Sequence, residues 1–389
     1  MAAPLQSLLE DFVLGPCSDW ARAGLAAVGL NYPFVEGLLV DGIINGVGMV
    51  LTFVPLMALM FLCLAVLEDS GYMARAAVVA DRLMRAIGLP GKAFIPLIVG
   101  FGCNVPAISA TRVLATPEQR RLTALLVPFT SCSARSTVYV MLAQTFFPEH
   151  AGLVVFAMYV ISIALVVASG LLLRTTLWRT MGSDPLVIDL PVYQCPTARL
   201  SFSVMWSRLK GFLQTAGGII VATVVVIWFL LSTPAAPGHS WGDEDLAPQD
   251  SLYGVVADSM APVFEPAGFD SWSLTGPLVT GFLAKEALIA TWAQTYDLED
   301  VTDAAPEEQG ASPLAQAVRA DFEETSGGNT LAAVWAYMIF LLAYTPCVAT
   351  LAAQRREIGW KWTAIGLVGQ LALAWLLAVA TFQGLSLVL

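Results

Sequence analysis

Residues 43–67 contain no charged side chain and run longer than the ~20 apolar residues a helix needs to cross a bilayer. Windows of the same kind recur at 151–173, 213–232, 331–353 and 362–386. Hydrophobic residues make up 57% of the 389 and charged residues only 13%. A soluble domain has roughly 45–50% and 25%. These runs predict an all-α, polytopic membrane bundle, with the lipid bilayer as its solvent.

The formal net charge of −11 comes mostly from two acidic stretches, 243–270 and 297–324, and excludes nucleic acid as a partner. The start, MAAPLQSLLEDF, lacks the basic segment of a signal peptide. Cysteines 17, 63, 103, 132, 195 and 347 form no CxxC pair, so neither a zinc ribbon nor a disulfide framework is indicated. The two histidines, His150 and His239, lie in polar connections.

Basic residues mark the cytoplasmic side of short loops. They cluster at Arg75–Lys92, Arg112–Arg121, Arg174–Lys210 and Arg355–Lys361. The stretches 233–272 and 297–329 hold acids and a single Arg319, which favours the outside. Residues 93–111 then enter and leave on the cytoplasmic face, and residues 274–295 on the outer face. Both read as re-entrant hairpins dipping from opposite sides.

The first hairpin carries VGFGCNVPAISATR, residues 99–112. Irregular backbone at membrane depth is tolerated only where protein or a water-filled cavity satisfies it. Gly100, Gly102 and Pro106 are expected to form its turn. GFGCNVPAISAT (100–111) reads like GFLAKEALIAT (281–291), and FTSCSA (129–134) like YTPCVA (344–349). Two such units of opposite orientation predict inverted repeats, each a re-entrant hairpin followed by a broken helix, with a substrate site at their interface. The expected division is a segment 1–40 outside or at the interface, a first repeat with connecting helices at 41–210, and a second at 211–389. The second carries acidic insertions at 233–272 and 297–330.

Cys103, Cys132 and Cys347 fall in this repeated frame, the last two near Pro128 and Pro346. Proline frees carbonyls, and thiols with free carbonyls suit a transition metal better than magnesium or calcium. Asn104 and Glu286 are the candidate oxygen ligands. Lys285 is expected to neutralise Glu286 when the site is empty, and Glu68 and Asp69 to cap the following helix. A thiol enzyme is a weaker reading, because both histidines lie away from the hairpins and a thiol nucleophile wants a base.

The blocks LLVDGIINGVGMVLTFVPLMALMFLCLAVLEDSGYMARAA, GFGCNVPAISATR, PFTSCSAR and YTPCVAT resemble the membrane region of the ferrous iron transport protein B family, from about Leu38 to Trp362. The resemblance implies an importer of Fe(II) in the bacterial cytoplasmic membrane, with gates like those of nucleoside transporters. It puts the metal pathway on the same three cysteines. It implies no permanently bound cofactor, Fe(II) being cargo. A GTP-binding protein acting in trans, small Feo accessory proteins and a homo-oligomer are the partners it leaves open. Family members normally begin with a GTP-binding domain, a helical domain and one more membrane helix, none of which is expected here. There is no GxxxxGK[ST] loop, so the chain is not read as an enzyme. After SCSAR the family continues Leu-Pro, where this chain has Ser136 and Thr137. The alternatives are a carrier of another divalent metal or small polar solute, and a non-transporting remnant that needs a separate GTPase.

Overall fold

The computed structural model describes residues 15, 16, 18, 20–23, 33–177, 193–235, 248–285, 287–299, 301, 302 and 304–387. Among them the structure is helical, with one isolated bridge from Pro234 to Ser251 and no strand. The helices used below begin with α1 (Asn45–Asp69), α2 (Tyr72–Ile87), α3 (Phe94–Gly102), α4 (Asn104–Ala110) and α5 (Pro117–Leu126). Then come α6 (Ser133–Phe146), α7 (Ala151–Thr176), α8 (Ala198–Phe212), α9 (Gly218–Ser232), α10 (Trp272–Leu283) and α11 (Ala287–Thr295). The last are α12 (Pro306–Ala311), α13 (Pro313–Thr325), α14 (Thr330–Ala343), α15 (Val348–Ile358) and α16 (Trp360–Ser386).

Packing divides the chain into two compact units, residues 1–79 with 187–255 and residues 80–186 with 256–389. In the first, α1 packs along α8 and α9. Gly46 makes this possible, since a Cβ there would sit 3.2 Å from the Val221 backbone. Glu68 and Asp69 do not cap α2. Glu68 accepts from Arg208 at 2.7 Å, and the Asp69 carboxylate accepts the Thr197 amide at 2.9 Å. The N-cap amide of α8 and Arg208 further along the same helix offer these acids an orphan backbone donor and a cation, which outweigh the weak dipole of a neighbouring helix end.

In the second unit, start signals are readable residue by residue. Thr116, Ser271 and Ser312 accept from Gln119, Leu274 and Ala315, and Pro117 and Pro313 sit at first helical positions. Among the described residues, five helical stretches are long and apolar enough to cross a membrane: Phe34–Asp69, Pro117–Phe146, Pro148–Thr176, Thr330–Ile358 and Trp360–Ser386. Four correspond to the sequence windows. The fifth, Pro117–Phe146, was masked by the Thr, Ser and Arg residues at its middle, while window 213–232 reduces to a shorter apolar helix, Gly218–Ser232.

Burial sorts the four long stretches of this unit. Pro117–Phe146 and Thr330–Ile358, each broken near its middle, are 67% and 78% buried, whereas the unbroken Pro148–Thr176 and Trp360–Ser386 are 28% and 17% buried. Backbone irregularity is therefore kept inside protein and regular helix is turned outward, as a bilayer demands.

The insertion 297–330 is not a solvated loop. Its helices α12 and α13 bury Leu314, Val318 and Phe322 and pack on α6. Phe322 lies edge-on to Phe146 and Tyr337 at 5.5 and 5.4 Å. Arg319 donates to the Thr145 carbonyl, and Asp321 accepts from Ser273 and Tyr296. Too short for a core of its own, the segment borrows one. Phe322→Ala should therefore cost ~3–5 kcal/mol, seen as a lower Tm and faster proteolysis within 297–330. Phe156→Ala on the outward face of α7 should change Tm little. Equal effects would contradict this packing.

Candidate functional site

Segments 93–111 and 274–295 each leave helix at an extended residue. Cys103 has φ −153° and ψ 134° between α3 and α4, and Ala284 has φ −145° and ψ 131° at the end of α10. The turn falls on Cys103 itself. Gly100 and Gly102 remain in α3, and Pro106 is in the first turn of α4, where a missing N–H removes no helix bond. The glycines serve close approach. A Cβ on Gly100 would lie 2.3 Å from the Thr130 hydroxyl, and one on Gly281 would lie 2.8 Å from the Tyr344 hydroxyl.

Thr130 and Tyr344 open the second pair of breaks. Helix stops at Phe129 and restarts at Ser133, with Cys132 as the N-cap residue (φ −73°, ψ 163°). It stops again at Ala343 and restarts at Val348, with Cys347 as the N-cap residue (φ −59°, ψ 156°). The carbonyls of both cysteines accept the first helical amides. The break beside Cys132 forms with Ser136 and Thr137 near the start of α6.

The backbone freed at these breaks has named partners. On α7, the Ser162 hydroxyl donates to the Phe129 carbonyl at 2.8 Å and accepts from the Ser131 amide at 3.1 Å. Arg135, 1% exposed, donates from one nitrogen to the Pro128 and Thr130 carbonyls at 2.8 and 3.2 Å. Its other terminal nitrogen reaches the Tyr344 carbonyl at 3.4 Å. Lys285, also buried, donates to the Thr345 carbonyl at 2.6 Å with its ammonium 3.1 Å from the centre of the Tyr344 ring.

Cys132 and Cys347 each follow by two residues a carbonyl held by a buried cation, Thr130 by Arg135 and Thr345 by Lys285. Both thiols are partly buried, and the Cys347 sulfur is 3.2 Å from the Thr350 hydroxyl. Cys103 approaches the same region through its neighbour, since Ser133 donates to the Gly102 carbonyl at 3.1 Å. Asn104 is buried, and its side-chain oxygen faces the Thr130 hydroxyl at 3.1 Å. Glu286 lies outside the described residues. Among the described residues, no three His, Cys, Asp or Glu side chains are grouped closely enough to hold a metal ion. Arg112, in the turn after α4, forms a bidentate pair with Glu357 at 2.5–2.9 Å, which raises its already high pKa.

Sequence reasoning missed Arg135, which stood inside a quoted motif and went unread. The available signal was a lone charge in a long uncharged stretch, since charge at membrane depth is expensive.

These features define a multi-pass helical membrane protein with paired broken helices around a polar, thiol-bearing centre. The family model described as Gate, nucleoside recognition, matches residues 50–146 and 213–361, and the model for the ferrous iron transport protein B C terminus matches residues 155–208. The chain is 37% identical to an Fe(2+) transport protein A/Fe(2+) transporter FeoB fusion protein of Porphyromonas gingivalis, over 96% of this chain and 48% of that one. It is 37% identical to an Fe(2+) transporter FeoB of Staphylococcus aureus (98% of this chain, 54% of that one). For the FeoB of Methanocaldococcus jannaschii the identity is 38% (97% and 53%). No solved structure matches. The chain belongs to the ferrous iron transport protein B family and is a multi-pass protein of the cytoplasmic membrane. It spans about half the length of the curated relatives it matches.

Gly100→Ala should force Thr130 off Asn104 and lower stability by about 1–3 kcal/mol, read as a fall in Tm. Adding Thr130→Ala should recover most of that loss. An unchanged Tm for the single variant would contradict the close contact.

Proposed function

We propose that this chain is a permease that carries Fe(II) inward past the helix breaks, with Cys132 and Cys347 as its soft ligands and Cys103 beside them. One observation carries the reading. Each of two partly buried thiols stands at the first residue of a helix that restarts inside a buried, apolar span. Soft sulfur beside backbone carbonyls selects a transition metal over magnesium or calcium. The relatives named Fe(2+) transporters support iron as the cargo.

The matching hairpin breaks at Cys103 and Ala284, and the matching restarts at Cys132 and Cys347, support two repeats of opposite orientation. Their proposed bounds are 41–210 and 211–389, with 1–40 as a separate N-terminal segment. The basic loops then face the cytoplasm and the acidic insertions the outside. The fusion relative supports a small accessory protein of the transport protein A type as a partner. Nucleotide dependence is assigned to a GTP-binding protein acting in trans, the chain itself being a carrier rather than an enzyme.

A second reading is a small polar solute as cargo. Two buried cations at the breaks favour it, as does the nucleoside-recognition description of the matching family model.

Purified chain in proteoliposomes should take up labelled Fe(II), with manganese, zinc or cobalt competing better than a nucleoside. Serine at Cys132 or Cys347 should reduce uptake tenfold or more, the loss of about 1.4 kcal/mol of ligand interaction, without loss of folded protein. Normal transport by both variants would make the thiols packing residues, and competition by nucleoside alone would establish the second reading. Fluorescent GTP should not bind the purified chain; saturable binding would overturn the carrier-only assignment.

A further inference from the structure

We propose that the Thr345 carbonyl and the Tyr344 ring at the second helix break form a cation seat that Lys285 occupies in place of the transported metal, so that a divalent ion binds by displacing this tethered ammonium. The inference rests on the permease reading above and concerns the same site.

The two buried cations are held differently. Arg135 is fixed: its rigid guanidinium meets three carbonyls, from Pro128 and Thr130 on one side and Tyr344 on the other. It stitches the two breaks together and has little freedom to leave. Lys285 reaches the Thr345 carbonyl through one hydrogen bond and lies over the Tyr344 ring. Its stem is a flexible chain of four methylenes. Among the described residues no carboxylate is paired with it. Burying an ammonium is costly, and every buried partner it has matters. A carbonyl oxygen and an aromatic face, both cation-binding groups, are what hold it in place.

Those partners belong to the residues just before Cys347, which starts α15. The seat therefore presents a hard backbone oxygen beside a soft thiol, a mixed set suited to a borderline divalent cation. A dication and an ammonium cannot share it, because two such charges at contact distance repel strongly in a low-dielectric interior. The ammonium keeps the Thr345 carbonyl satisfied while no metal is present, which a buried carbonyl requires. When metal arrives, the carbonyl exchanges one cation for another and is never left unpaired. Lys285 sits on the second hairpin and its acceptor on the second broken helix, so this exchange also releases one link between those segments.

Cobalt(II) serves as the probe, because its bond to a thiolate gives a charge-transfer absorption. If Lys285 fills the seat about nine-tenths of the time, it weakens apparent metal affinity about tenfold, since only the open fraction binds. Purified full-length chain carrying Lys285→Met should therefore bind cobalt about tenfold more tightly than wild type, whereas Lys285→Arg should bind no more tightly. A second measurement needs no variant: saturating cobalt should raise the reactivity of Lys285 toward an amine reagent, followed by peptide mass spectrometry. If wild type gives no charge-transfer band, the metal reading fails and this inference with it. If the band forms while Lys285 reactivity is unmoved, or if Lys285→Met binds no more tightly, the seat is wrong and the metal reading stands.

Discussion

A carbonyl that loses its helical partner inside an apolar span must find another donor, because no solvent is at hand to supply one. The second unit is organised around that demand. Pro128 sits in the last turn before the first break and Pro346 within the second, and each removes an N–H as well as bending the chain. The freed groups are then answered one by one. Ser162 takes the Phe129 carbonyl and the Ser131 amide, Arg135 takes Pro128, Thr130 and Tyr344, and Lys285 takes Thr345. A single guanidinium bridging both breaks is satisfied by carbonyls, and among the described residues it pairs with no carboxylate.

That arrangement fixes what surrounds it. Spans with breaks must be covered by protein, so the unbroken α7 and α16 are left to meet lipid. Thr130 and Tyr344 must approach the hairpins closely, so Gly100 and Gly281 stand opposite them. The insertion caps the end of α6 with aromatic packing and with Arg319, which satisfies the Thr145 carbonyl near the α6 C-terminus. End-of-helix carbonyls, like mid-span ones, are satisfied by side chains from elsewhere.

Much of this was legible in the sequence, because membrane helices announce themselves by length and apolar content. Four of the five long spans found among the described residues are legible that way, and the breaks at Cys103 and Ala284 fall inside the two segments expected to be irregular. Pro117–Phe146 was missed because a broken span carries polar residues at its middle, which depress the very average used to find it. The position of the hairpin turn was misread for a related reason. Glycine was taken as the residue that bends, whereas at Gly100 it is the residue that lets Thr130 in. Glu68 and Asp69 were assigned to the nearest helix start, since their true partners, Arg208 and Thr197, are more than a hundred residues away. The acceptor that Lys285 does show, the Thr345 carbonyl sixty residues on, carried no local signal, and its sequence neighbour Glu286 lies outside the described residues. In each case local spacing was readable and the long-range partner was not.

The charge of the centre sets a condition on any reading of it as a metal pathway. Arg135 and Lys285 give it two positive charges, and the N-termini of α6 and α15 add the positive ends of two helix dipoles. Such surroundings resist a bare dication. The proposed exchange eases the conflict, because one cation leaves as another enters. Two thiols on separate helices, with one cation fixed beside them, hold a divalent ion less firmly than a closed four-ligand cage. A pathway needs that weakness, because an ion bound too well to leave is stored, not transported.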